Sequence, residues 1–328
     1  SLMKKGVVGG VSASMPLFTG GQIVNGNKLA KVNIQVNRLQ YNQSENEVKL
    51  TTENYYWQVV MLKEKLQTIT VVEAQLTNLL KDVEASVNAG VTTRNDLLQV
   101  QLRHSQIENA LTLSQQMVAQ YIGEDSGIVD VPPVAGEVLP EHPQGLYRNP
   151  ESSLVLTNEY HLLQQNLKAN KLQRRITVGK YLPTVAIGGG YMYDNLMDKD
   201  HPFWMGFATV SIPLSGWWGG SHDVRKQELQ VRNAENQFTD QSELLILRMQ
   251  QNWNDLKDAY KQMQISMRSI EQATENLRLN TDYYKAGTCT MNDLLDAQTL
   301  FQQSKDRYVE SYARYEVKKC EYLQATGR

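Results

Sequence analysis

A short stretch that occurs twice constrains this chain more than any other feature. The first copy runs from Ala89-Gly90-Val91-Thr92-Thr93 through Asp96-Leu97-Leu98 to Gln101. The second runs from Ala286-Gly287-Thr288-Cys289-Thr290 through Asp293-Leu294-Leu295 to Gln298, each position lying 197 residues after its partner. The same spacing relates Met15-Pro16-Leu17 to Ile212-Pro213-Leu214, so neither copy carries an insertion between the two landmarks. Internal duplication is the simplest account, and it requires a fold that one unit can repeat.

The duplicated stretch reads as the tip of a helical hairpin. Gly90 and Gly287 suit the left-handed position just past a helix, where a side chain would clash. Three residues on, Thr93 and Thr290 can act as N-caps, with Asp96 and Asp293 placed to complete capping boxes. One helix ends and the next begins within a few residues, so the two run antiparallel. Leu97, Leu98, Leu294 and Leu295 are expected to seal the hairpin ends.

Between Gly26 and Gly123 the only glycine is Gly90, and no proline falls between Pro16 and Pro132. Between Gly220 and Gly327 the only glycine is Gly287, and no proline follows Pro213. Breakers this sparse predict helices over 22–88 and 221–285, each roughly 100 Å long at ~1.5 Å per residue, with return helices over 94–122 and 291–326. Leu62, Leu66, Ile69, Leu76, Leu80, Val83 and Val87 form a stripe near the 3.5-residue period of a coiled coil, with a gap at Glu73. Gly123 to Pro150 contains five prolines and reads as an irregular linker, followed by a helix over 152–179. The expected organisation is a first repeat over 1–122, a Pro-rich linker over 123–151, and a second repeat over 152–328 with its tip at 286–293.

Residues 7–18, 183–193 and 203–214 alternate with the period of a strand, and 183–214 reads as a hairpin. Strands of this length can cross a bilayer when tilted. Tyr191, Tyr193, Phe203 and Trp204 at one end and Phe18, Trp217 and Trp218 at the other match the spacing of aromatic girdles. A hairpin packed on soluble helices would show the same alternation without paired aromatics. The helix before this hairpin and its first strand have no counterpart in the first repeat. The duplication therefore predicts a further helix and strand before Ser1, about 45 to 50 residues with a targeting signal ahead of them. The expected fold class is mainly α with a small β part, built from long coiled-coil hairpins in two repeats plus membrane strands.

Thirty-three basic residues stand against 35 acidic ones, and neither sign gathers into a run, so a nucleic-acid partner is not indicated. No apolar stretch is long enough for a transmembrane helix. Cys289 and Cys320 fall far apart along one predicted helix and cannot bridge within the chain. His104, His142, His161, His201 and His222 show no metal-ligand spacing. Gly188-Gly189-Gly190 lacks the Lys and Ser or Thr of a phosphate loop. Neither an enzyme, a cofactor nor a metal site is indicated.

The two tips, above all Tyr284-Lys285-Ala286-Gly287 through Asp293-Leu294-Leu295-Asp296-Ala297-Gln298, together with the Pro-Leu-Gly strand exits, resemble the TolC-like outer-membrane efflux proteins of Gram-negative bacteria over essentially the whole chain. The resemblance implies a homotrimer whose chains share a twelve-stranded barrel among outer-membrane lipids and a helical tunnel through the periplasm. It also implies partners, a periplasmic adaptor and an inner-membrane pump, and export of drugs, toxins or proteins. By that pattern Asp293 and Asp296 line the constriction at the tunnel's periplasmic end and Tyr284 joins the gating contacts. Gly90, Asp96, Leu97, Leu98, Gly287, Leu294 and Leu295 fall at the tips that meet the adaptor. The chain departs from the family at Cys289, where the best-known members carry an arginine that helps to hold the closed state. Capping explains Asp96 and Asp293 equally well, whereas Asp296 replaces Gln99 of the first copy and lies beyond the cap. A periplasmic adaptor would carry one hairpin between compact β modules, and a soluble structural coiled coil would need no membrane strands.

Overall fold

The structure is a computed structural model and describes residues 8–122, 139–194, 201–213 and 216–328. In chain order the elements are β1 (Val8–Thr19), α1 (Gln22–Asn88), α2 (Arg94–Ile122), a 3-10 turn (Pro143–Leu146), α3 (Pro150–Leu154), α4 (Asn158–Gly179), β2 (Thr184–Asp194), β3 (His201–Ser211), α5 (Gly216–Lys285) and α6 (Met291–Ala325). Two compact units result, one of Ser1–Gln43 and Thr157–Leu245, the other of Ser44–Leu156 and Ile246–Arg328.

In the first unit the three strands form an antiparallel sheet in the order β1-β2-β3. The register stacks Val11, Tyr191 and Trp204 across the strands, and likewise Met15, Ile187 and Ala208, then Phe18, Val185 and Val210. Directly opposed residues share a face, so one face is apolar throughout its length. Pro16 can donate no ladder bond, and the strand answers with a bulge between Pro16 and Phe18 before continuing to Thr19. The second Pro-Leu pair behaves differently. β3 ends at Ser211, ahead of Pro213, instead of running to 214, and it begins at His201 instead of 203.

The Tyr191 and Trp204 ring centroids lie 5.2 Å apart. Phe203 does not join them: it pairs with Met192, which places it on the opposite face. The side chains of Trp217 and Trp218 lie outside the described residues, as do 123–138 of the linker and 195–200 of the loop.

Below the sheet, Gly20 and Gly21 both take positive φ (61° and 77°) to turn β1 into α1. At this turn the Gly20 backbone lies against Gly179 at the end of α4, so closely that a Cβ on either residue would collide with the other's carbonyl oxygen. Gln22 Nε2 donates to the same Gly179 carbonyl at 3.3 Å. The Tyr181 ring fills the space that a side chain at Gly220 would need, and its hydroxyl donates to Asp223 at 2.6 Å.

The second unit holds two apolar clusters. In the first, Ile69, Val72, Leu76 and Val83 of α1 pack with Val100 and Ile107 of α2 and with Met291, Leu294 and Leu295 of α6. Val72 is fully buried and fills the stripe where Glu73 had suggested a gap. Glu73 instead accepts from Thr77 at 2.9 Å and lies 3.4 Å from His104 Nε2. The second cluster is aromatic: Trp253 and Tyr260 of α5 face Tyr308, Tyr315 and Tyr322 of α6, each set spaced by seven residues. Tyr260 donates to the Pro140 carbonyl at 3.1 Å, and Tyr322 accepts from the Arg148 amide at 2.9 Å, so the rings hold the described end of the linker. Burial pushes the Tyr315 phenol up to about 12.

The helix expected over 152–179 is broken. α3 stops at Leu154 and α4 starts afresh at Asn158, capped by Thr157, whose hydroxyl accepts from the Tyr160 amide. The break lies against the last turn of α6, where Gly327 approaches the Leu156 carbonyl too closely for a side chain. α5 begins at Gly216, five residues before its expected start.

Candidate functional site

The two hairpin tips meet in the second unit. At each, the glycine is left-handed, with φ 72° at Gly90 and 70° at Gly287. Val91 donates to Ser86 and Gly90 to Val87; Thr288 donates to Tyr283 and Gly287 to Tyr284. This is the paired bonding of a Schellman turn, and it occupies carbonyls that a helix end would leave open.

Each return helix then starts with a reciprocal cap. The Asp96 amide donates to Thr93 Oγ1 at 3.2 Å and the Thr93 amide to Asp96 Oδ2 at 3.3 Å. At the second tip the Asp293 amide donates to Thr290 Oγ1 at 3.2 Å, while the Thr290 amide and hydroxyl donate to Asp293 Oδ2 at 2.9 and 2.6 Å. The hydrogen bond from the Thr92 hydroxyl, ahead of those from Thr93, holds the Asp96 carboxyl below its ordinary value, and the bonds from Thr290 do the same for Asp293.

A group whose pKa falls on folding stabilises the fold above its unfolded value and ceases to as pH drops through the folded one. From the ordinary carboxyl value of 3.8 downward, both caps should therefore loosen. The expected result is a loss of hydrogen-exchange protection at the Thr93 and Thr290 amides, which donate to these carboxylates, as pH falls below about 3.8. Protection that stays constant across that range would contradict the caps.

Three of the four tip leucines are packed. Leu294 and Leu295 are buried and Leu97 lies against the same cluster, whereas Leu98 is 54% exposed and does not seal the tip. Tyr284 also packs on this cluster. It lines the same cavity as Thr92, whose hydroxyl donates to Asp96 Oδ2 at 2.7 Å. Burial raises the Tyr284 phenol above its usual value. The second hairpin thus packs beside the cap of the first.

Cys289, the repeat partner of Thr92, makes no matching link; its Sγ donates to the Asn280 carbonyl at 3.4 Å. Asp293 and Asp296 are both exposed, and Asp296 accepts from Asn292 Nδ2 at 3.3 Å. Asp296 also supports the charge of Arg103, whose half-buried guanidinium is otherwise lowered by loss of water. Thr92 and Arg103 are the residues that sequence reasoning missed. The adjacent threonines at 92 and 93, against Cys289-Thr290 in the second copy, were the available signal for the first. Between the tips lies a cavity of about 560 Å³ whose walls include Val83, Val91, Thr92, Tyr284, Cys289 and Leu294.

One chain thus carries a sheet with one apolar face and two long helical hairpins with capped tips. The chain belongs to the outer membrane efflux protein family, which it matches over residues 4–121 and 154–321. No curated protein matches it in sequence. Among solved structures it is similar to the outer membrane protein VceC of Vibrio cholerae, with 13% identity and a TM-score of 0.79 over 98% of this chain and 87% of that one. CusC, described as forming a transmembrane channel, gives 13% identity and a TM-score of 0.83 over 98% and 78%. The open state of the Neisseria gonorrhoeae outer membrane channel MtrE gives 12% and 0.73 over 99% and 81%. The outer membrane is the chain's location and efflux its role.

Proposed function

We propose that three copies of this chain form a passive exit duct. Each would contribute its strands to a shared barrel and two hairpins, one per structural repeat, to a periplasmic tunnel. The energy would come from an inner-membrane pump coupled through a periplasmic adaptor, and the chain itself would perform no catalysis. The observation that carries this reading is the coexistence in one chain of an apolar sheet face and two capped tips that pack on one shared apolar cluster. Exposed Leu98 and the cavity between the tips suit the adaptor contact. Opening would part the tips like an iris, drawing Tyr284 away from Thr92.

Asp293 and Asp296 would line the mouth. Asp293 is exposed while its Oδ2 serves the cap, so capping and lining a pore are compatible. Three chains would bring six carboxylates to a narrow opening, which favours cations and is plugged by multivalent ones. Protein extracted from its own outer membrane and inserted in planar bilayers should give cation-selective steps that a trivalent cation on the tip side abolishes. Asp293→Asn with Asp296→Asn retains groups able to cap and removes the charge, and should raise the blocking concentration at least about tenfold. Steps with unchanged block would remove these carboxylates from the mouth. Failure of the wild type to conduct would reject the duct.

A further inference from the structure

The face of the sheet opposite the girdle is divided along its length. Next to the helices it carries Thr19, Thr184 and Ser211 in one rank and Pro16, Ala186 and Thr209 in the next. Farther out the ranks are Ser14–Gly188–Phe207, Ser12–Gly190–Met205 and Gly10–Met192–Phe203, before the face ends on the rank Val8–Asp194–His201. The outer part therefore holds Met192, Phe203, Met205 and Phe207 on a face that a water-filled barrel would keep polar. Phe203, Met205 and Phe207 are 43%, 41% and 36% exposed.

The glycines explain how these large side chains are accommodated. A Cβ at Gly188 would strike the Phe207 ring, with Cε2 at 2.7 Å, and a Cβ at Gly10 would lie 2.5 Å from Met192 Sδ. Phe207 and Met192 thus lie down across the neighbouring strand, in notches left by absent side chains, instead of standing off the sheet. The face remains low while presenting apolar surface.

We infer that the outer part of the lumen is an apolar collar, formed by Met192, Phe203, Met205 and Phe207 of each chain and kept wide by Gly10 and Gly188, which contacts the apolar portion of amphipathic cargo. The inference rests on the duct reading and adds the cargo class. An apolar solute gains by shedding water against such a wall, while the polar ranks near the helices offer it no comparable surface.

Two quaternary ammonium ions of equal charge test it, because their difference cancels the effect of the carboxylates. In planar bilayers, tetrahexylammonium should block the wild-type channel at concentrations at least about tenfold below tetramethylammonium. Met205→Ser with Phe207→Ser should bring the two within about twofold while steps persist. Gly188→Val should force Phe207 off the sheet and reduce unitary conductance. If the double variant does not assemble, Phe203→Ser alone should still narrow the difference. Equal block of the wild type, an unchanged difference in the serine variants, or full conductance in Gly188→Val overturns the collar and leaves the duct standing. Absence of steps from the wild type overturns both.

Discussion

Replacing Gly20 with alanine is expected to unsettle the junction between sheet and helices far more than the same change at Gly21. Both residues are left-handed, and alanine there costs about 1–2 kcal/mol for backbone conformation alone. At Gly21 the added methyl would meet only Asn25 Nδ2, at 3.3 Å, a side chain that can move aside. At Gly20 it would press on the Gly179 backbone, whose Cα lies 3.0 Å from the new atom. That backbone is the last turn of α4, from which the chain leads into β2, so relief requires the two segments to separate. A total loss on the order of 3 kcal/mol or more follows for Gly20→Ala, against about 1–2 for Gly21→Ala. Thermal unfolding of the two variants in detergent makes the comparison, and equal losses would show that the close crossing carries no weight.

The second large effect is expected at Tyr322, which is 1% exposed. Its ring lies 5.1 Å from Trp253 and 5.6 Å from the Arg328 guanidinium, and its hydroxyl satisfies the Arg148 amide. Truncation to alanine removes a fully packed ring and should cost about 3–5 kcal/mol. Phenylalanine keeps the ring and strands one partly buried amide, for about 1–3 kcal/mol. Denaturant unfolding should rank the wild type above Tyr322→Phe and that above Tyr322→Ala. If phenylalanine proved as damaging as alanine, the hydroxyl bond to the linker side, not ring packing, would dominate.

Local chemistry was legible in the sequence; what distant segments impose was not. The helices 22–88 and 94–122 were found at their observed ends, because Gly90, Thr93 and Asp96 act within a few residues of each other. The break at Leu156–Thr157 was missed, since it depends on the turn at Gly327 arriving from the other end of the chain. Phe203 was grouped with Trp204 by proximity, yet adjacent strand residues point to opposite faces, and only the register with Met192 assigns the side. At the site, the caps of Asp96 and Asp293 were readable. The meeting of Tyr284 with Thr92 at one cavity was not, because it brings together two hairpins that no periodicity relates.

That meeting has a bearing on how the tips would move. Thr92 gives its proton to Asp96 and Thr93 closes the cap from within the same loop, so the start of α2 needs nothing from Tyr284 to keep its shape. The start of α6 is equally self-sufficient through Thr290 and Asp293. Were the tyrosine to leave, its hydroxyl would go to water and neither helix would unravel. Each hairpin end would then swing as a stiff lever, and the bending that lets it swing would be taken up along the long helices above it, not at the glycine turns.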